Sequence, residues 1–166
     1  MNKHLRVFFG LFASCGFLAS LIVHLRTFWG YTLDLPGGEF LPALGLPVVI
    51  GALALDNYLT PPAQRQIVSL PGPWPWWALV VLMATGAYVA LNFLVNVVAP
   101  GGSPVVSKGG YVLQEHGLVI RELTAQQYRE AVVRQARGTS GHMLIFYLMP
   151  ALWFLFAKKA PRSATE

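Results

Sequence analysis

The chain has 166 residues, 55% of them hydrophobic and 13% aromatic, with only 11% charged and a formal net charge of +5. A water-soluble domain carries roughly a quarter charged residues and could not hide this much apolar surface, so the composition points to a single polytopic membrane domain over residues 1–166. The basic excess forms no nucleic-acid face: Lys3 and Arg6 precede the first apolar block and Lys158, Lys159 and Arg162 follow the last, a placement that suits anionic lipid head groups.

Leu5 to Leu25 carries no charge beyond Arg6 at its mouth and is long enough to cross about 30 Å of hydrocarbon. It begins like a signal peptide, and Phe12-Ala13-Ser14-Cys15 loosely matches a lipoprotein cleavage box. The apolar run nevertheless continues to Val23, which favours a retained first helix. Gly10 with Ser14, and Gly16 with Ser20, set small residues four apart, so another helix can approach closely. Cys15 is the single cysteine; no intrachain disulfide is possible, and its apolar setting is not that of an activated nucleophile.

Trp29 and Tyr31 fit an interfacial aromatic belt, and Asp34-Leu35-Pro36-Gly37-Gly38 is turn chemistry. Phe40 to Leu55 is uncharged but short, with Pro42 and Pro47 inside it. It is the weakest of four expected crossings, a re-entrant segment being the alternative, and Asp56 is expected at its interface end. Residues 60–75 form a proline-rich connection, and Trp74, Trp76 and Trp77 mark a membrane surface. Trp76 to Ala99 is the clearest crossing. On it Thr85, Tyr88, Asn92 and Asn96 share one helical face. Such a stripe serves interhelical hydrogen bonding or lines a path for a ligand, quinone or ion; with no acid or base on it, the first use is favoured.

Residues 101–141 are the one long stretch suited to water. After a flexible lead-in from Pro100 to Gly110, Tyr111–Glu115 and Leu118–Arg121 flank His116-Gly117, which predicts a β-hairpin with a two-residue turn. Thr124-Ala125-Gln126-Gln127 is a capping-box start, and an amphipathic helix is expected from there to Arg137, ended by Gly138. Thr139 or Ser140 would then cap a last crossing that contains Pro150. The fold class expected is therefore all-α and membrane-integral, with four transmembrane helices and a hairpin-plus-helix insertion between the third and fourth.

The motifs that announce chemistry are missing: the sequence has no phosphate loop, paired-carboxylate site, zinc spacing or dinucleotide fingerprint. Four antiparallel crossings would bring His24 and His142 to the same side, where two imidazoles could hold haem or another metal. Interfacial histidines are commonly structural, however, and no cofactor is the expectation. Contact with a partner is the favoured reading, through Tyr111, Leu113, His116, Tyr128, Arg129 and Arg134 of the insertion. The protein would be non-catalytic, an accessory subunit, assembly factor or immunity-like protein. It would sit in the bilayer beside another membrane protein or a second copy of itself. A haem- or quinone-associated redox protein and a small oligomeric channel or transporter are the alternatives. Four crossings put both termini on one side, and the basic flanks favour the cytoplasm, in a bacterial plasma (inner) membrane.

Overall fold

The computed structural model describes residues 1–32, 43–59, 74–98, 101–107 and 109–156. The turn at 34–38, nearly all of the proline-rich connection, Lys108 and the basic C-terminal residues lie outside them.

Four helices and a small sheet make up the described chain: α1 Lys3–Arg26, extended by a 3₁₀ turn Thr27–Trp29; α2 Leu46–Tyr58; α3 Trp76–Val98; β1 Ser103–Ser107; β2 Gly110–Glu115; β3 Leu118–Leu123; and α4 Ala125–Phe156. Three of the helices are long and apolar enough to cross a membrane: Lys3–Trp29, Trp76–Asn96 and Ala125–Phe156.

The bundle is built around α4. The Arg6 guanidinium donates to the Trp153 carbonyl at 3.1 Å, and His24 meets Ser140, so α1 runs antiparallel to α4. Ala78 packs with Leu148 and Leu152, while Asn92 lies against Gly138, so α3 is also antiparallel to α4 and parallel to α1. The chain must therefore return through the length of the bundle between Gly30 and Trp74. Part of that return is α2, which runs from Gly45, beside Tyr147, to Asp56, beside the chain's amino group. At 13 residues α2 is about 20 Å long, short of the roughly 30 Å a straight crossing needs.

Large apolar side chains cover much of the outside of this bundle, and several polar ones lie within its apolar core. Ser20, His24, Thr27, Asp56, Asn92 and Ser140 are buried, whereas Ile22, Met83 and Leu91 are each at least 60% exposed. An apolar solvent selects that arrangement, because outward hydrocarbon costs nothing there and polar groups must find partners inside. The small residues of α1 work as their spacing implies. Ala13 and Ser20 are wholly buried, Gly10 faces Leu155, and Gly16 faces the Tyr147 ring. The Ser14 and Ser20 hydroxyls donate to the carbonyls of Gly10 and Gly16, at 2.9 and 2.8 Å, and so need no partner on the facing helix. Asp56 is at the end of α2, but buried: it pairs with the Met1 ammonium at 3.4 Å and accepts from the Trp153 indole at 3.4 Å.

The insertion folds as a three-stranded antiparallel sheet in the order β1-β2-β3. The β2–β3 turn has the expected form: Glu115 pairs with Leu118, and His116 and Gly117 take φ of +49° and +85°. Where a flexible lead-in is expected, the structure has β1. The β-branched pair Val105-Val106 favours a strand, and Pro104 is tolerated because β1 lies at the sheet edge. The sheet rests on α4, with Tyr111 stacked on Tyr128 at 4.6 Å and Leu113 and Leu123 buried. The capping box is complete: the Gln127 amide nitrogen of the backbone donates to the Thr124 hydroxyl oxygen, and the Thr124 backbone N–H donates to the Gln127 side chain.

A second departure is larger. No break occurs at Gly138; α4 is one helix of 32 residues. A Cβ on Gly138 would lie 2.9 Å from Asn96 Oδ1, and one on Gly141 would collide with the Asn92 amide. These glycines let two asparagines of α3 reach the α4 backbone, and close approach rather than chain reversal is their use. The Ser140 hydroxyl donates back to the Ala136 carbonyl at 2.6 Å instead of capping a new helix.

Candidate functional site

Polar side chains from three helices meet one turn below the end of α1. His24 is 2% exposed there, with Nδ1 3.0 Å from Ser140 Oγ and Nε2 hydrogen-bonded to the Tyr88 hydroxyl. Satisfying every group assigns the tautomer. Ser140 gives its one hydroxyl proton to the Ala136 carbonyl, so its oxygen accepts from His24 Nδ1–H, and His24 Nε2 accepts from Tyr88 O–H. One hydrogen-bonded chain thus links α3, α1 and α4.

A latch closes the end of α1 above it. The Thr27 hydroxyl donates to the His24 carbonyl at 2.6 Å and accepts from Arg137 Nε at 3.2 Å; Arg137 Nη2 donates to the Thr27 carbonyl at 2.7 Å. The guanidinium also lies 4.5 Å from the centre of the Phe28 ring, a cation–π contact. Carbonyls left open at the terminus of α1 are thereby satisfied by a cation, the sign the helix dipole favours.

The predicted stripe on α3 faces this region. Tyr88 bonds His24. The Asn92 amide reaches the Arg137 and Gly138 carbonyls at 3.4 and 3.5 Å, and the Asn96 amide donates to the Asn92 carbonyl at 2.7 Å. Thr85 lines an apolar recess of about 430 Å³ beside His24, Phe28 and Leu144.

His24 and His142 are not brought face to face. Ser140, which meets His24, and His142 are two residues apart on α4 and so about 200° apart around it. The His142 Nδ1 bonds the Gly138 carbonyl at 2.7 Å, and its ring meets Phe93 edge-on. With both His24 nitrogens engaged, ligation would require breaking this network. Among the described residues no group of three or more His, Cys, Asp or Glu is placed to hold a metal ion.

The residues expected to touch a partner divide into three groups. Tyr111 and Tyr128 stack on each other, and Leu113, at 2% exposure, serves the interior of the insertion rather than its surface. His116 is exposed at the hairpin turn. Arg129 and Arg134 line a second recess of about 430 Å³, together with Asn92, Asn96 and Arg137. Sequence reasoning gave no site role to Thr27, Arg137 or Ser140, taking Arg137 as a helix end and Ser140 as a possible cap. Gly138, Ser140 and Gly141, small residues close together at the head of an apolar run, were the available signal for a helix contact at Ser140. Comparison with protein-family models, with curated proteins and with solved structures finds no match for this chain.

Proposed function

We propose that the protein is a non-catalytic multi-pass protein of a bacterial plasma membrane that binds another membrane protein through the β3 edge of its extramembrane sheet, in an accessory or assembly role. The carrying observation is the state of β3. It is an outer strand of the sheet, and Leu118, Val119 and Ile120 are 74%, 57% and 51% exposed. Leu118 and Val119 alternate between the two faces, Ile120 is the extra residue of a bulge opposite Leu113–Gln114, and the outer backbone groups of the strand are unpaired among the described residues. Strand addition by a partner would satisfy those groups and cover that surface. The parallel course of α1 and α3 supports four crossings, with the termini on one side and the sheet on the other; the basic flanks favour a cytoplasmic position for the termini.

The test is a photo-crosslinking amino acid at Val119, introduced into the full-length protein in its native host. A discrete adduct with one other membrane protein is expected, and Ile120→Lys should abolish it while leaving membrane insertion intact. Adducts only with lipid, only with a second copy of this chain, or none at all would refute the proposal.

A further inference from the structure

Two recesses of about 430 Å³ follow one another along α3 and α4, the lower one apolar and the upper one basic, with no lining residue in common. Both α1 and α3 pack on α4, which floors the space between them, and the His24–Tyr88 hydrogen bond bridges that space. Helical spacing aligns the two recesses. On α3, Ala84 and Tyr88 of the lower recess lie on the same stripe as Asn92 and Val95 of the upper one. On α4, Leu144 and Arg137 are seven residues apart and therefore nearly eclipsed. Arg137 over Phe28 marks the junction.

The upper recess is short of negative charge. It holds Arg129, Arg134 and Arg137 against one carboxylate, Glu130, which accepts from the Gln126 amide at 2.9 Å. None of the three arginines forms a salt bridge among the described residues. Guanidinium groups at the end of an apolar cleft match a phosphate carried on a hydrocarbon chain: bidentate hydrogen bonds to the head, dispersion contacts to the tail. From this charge complementarity we infer that the α1–α3 cleft binds an anionic phospholipid, with its phosphate among Arg129, Arg134 and Arg137 and an acyl chain beside Leu21, Ala84 and Leu144. This inference does not rest on the β3 reading.

Native mass spectrometry of the full-length protein tests it, after equilibration with phosphatidylglycerol or phosphatidylcholine of identical acyl chains. Wild type should retain phosphatidylglycerol at least tenfold better. Arg129→Gln with Arg134→Gln should bring that ratio near one, with Arg137 kept because it latches α1. If that double variant does not fold, Arg129→Gln alone, at an exposed position, should lower the ratio two- to threefold. Ala84→Trp, which fills the apolar recess, should lower retention at least fivefold, and Arg121→Gln on β3 should change nothing. Equal retention of the two lipids by wild type, or a ratio that Arg129→Gln leaves unchanged, would overturn the inference. So would inorganic phosphate displacing the lipid beyond an ionic-strength-matched chloride control while Ala84→Trp has no effect, since the site would then take free phosphate.

Discussion

Gly16→Ala tests the contact on which the bundle turns. A Cβ at Gly16 would stand 2.8 Å from Tyr147 Cζ and nearer still to the ring edge, whereas carbon atoms pack best at roughly 3.5–4.0 Å. The ring would have to retreat by about 1 Å. It has little room to do so, because Tyr147 is 2% exposed and packs with Ala13, Val49 and Ala151. Overpacking of this kind costs about 1–3 kcal/mol, or roughly a 5- to 150-fold shift in the folding equilibrium. Reversible unfolding in mixed micelles, with sodium dodecyl sulfate titrated against a mild detergent and helicity as the signal, measures it. In a Tyr147→Leu background the ring edge is gone, and the alanine penalty should fall below about 0.5 kcal/mol, a coupling well above the additivity error of independent sites. An equal penalty in both backgrounds, or none in either, would show that α1 and α4 do not approach through Gly16.

The stripe on α3 makes a smaller prediction. Asn92→Leu with Asn96→Leu should weaken assembly by about 1–2 kcal/mol in the same titration, near the low end for interhelical hydrogen bonds because the contacts of Asn92 are long, at 3.4 and 3.5 Å. Unchanged unfolding would make the stripe incidental. At the head of α4, Thr124→Ala removes one half of the capping box and should cost about 1 kcal/mol. Hydrogen exchange should report that loss in the first turn after Thr124, with the amides near Ser140 unaffected; uniform loss along α4 would contradict a local cap. Replacing residues 103–123 by a short flexible linker should leave membrane insertion and the Arg137–Thr27 latch intact while removing the Val119 adduct. A protease-sensitive α1 in that variant would show that the sheet is part of the bundle's stability.

Local rules written in consecutive residues were legible in the sequence. The capping box needs only Thr124 and Gln127, and the hairpin turn only His116-Gly117 between apolar stretches; both have the expected geometry. The small-residue spacing of α1 anticipated its close packing because Gly and Ser four apart share a face. What failed depended on a partner distant in sequence. Gly138 carries the composition of a helix stop, but whether a glycine ends a helix or admits a neighbour depends on Asn96, 42 positions away. Ser140 could be a cap or a buried acceptor, and only the arrival of His24 decides. β1 was lost because Pro104 argues against a central strand and says nothing about an edge. Leu113 reads as a surface contact in an isolated hairpin, but a third strand and α4 together bury it.

The length of α4 fixes how these parts stand to one another. Its 32 residues span about 48 Å, roughly 18 Å more than a hydrocarbon layer, so about twelve residues, as far as Ala136, project when the Phe156 end reaches the far face. Arg137 then falls at the boundary. Two other features mark the same level: Thr27, to which Arg137 is bonded at the end of α1, and Asn96, near the end of α3, against Gly138. The His24–Tyr88–Ser140 chain lies one turn further along the bundle, and protein atoms meet both ring nitrogens of His24. The sheet stands on the projecting turns of α4, with Tyr128 beneath Tyr111. The β3 edge and the arginine recess are made of different residues, although the hairpin end of β3 lies low on α4: Ile120 meets Gly102, which shares a recess with Asn96 and Gly138. Substitutions at Ile120 and at Arg129 with Arg134 should therefore separate protein partner from lipid, each abolishing one binding event and leaving the other in place.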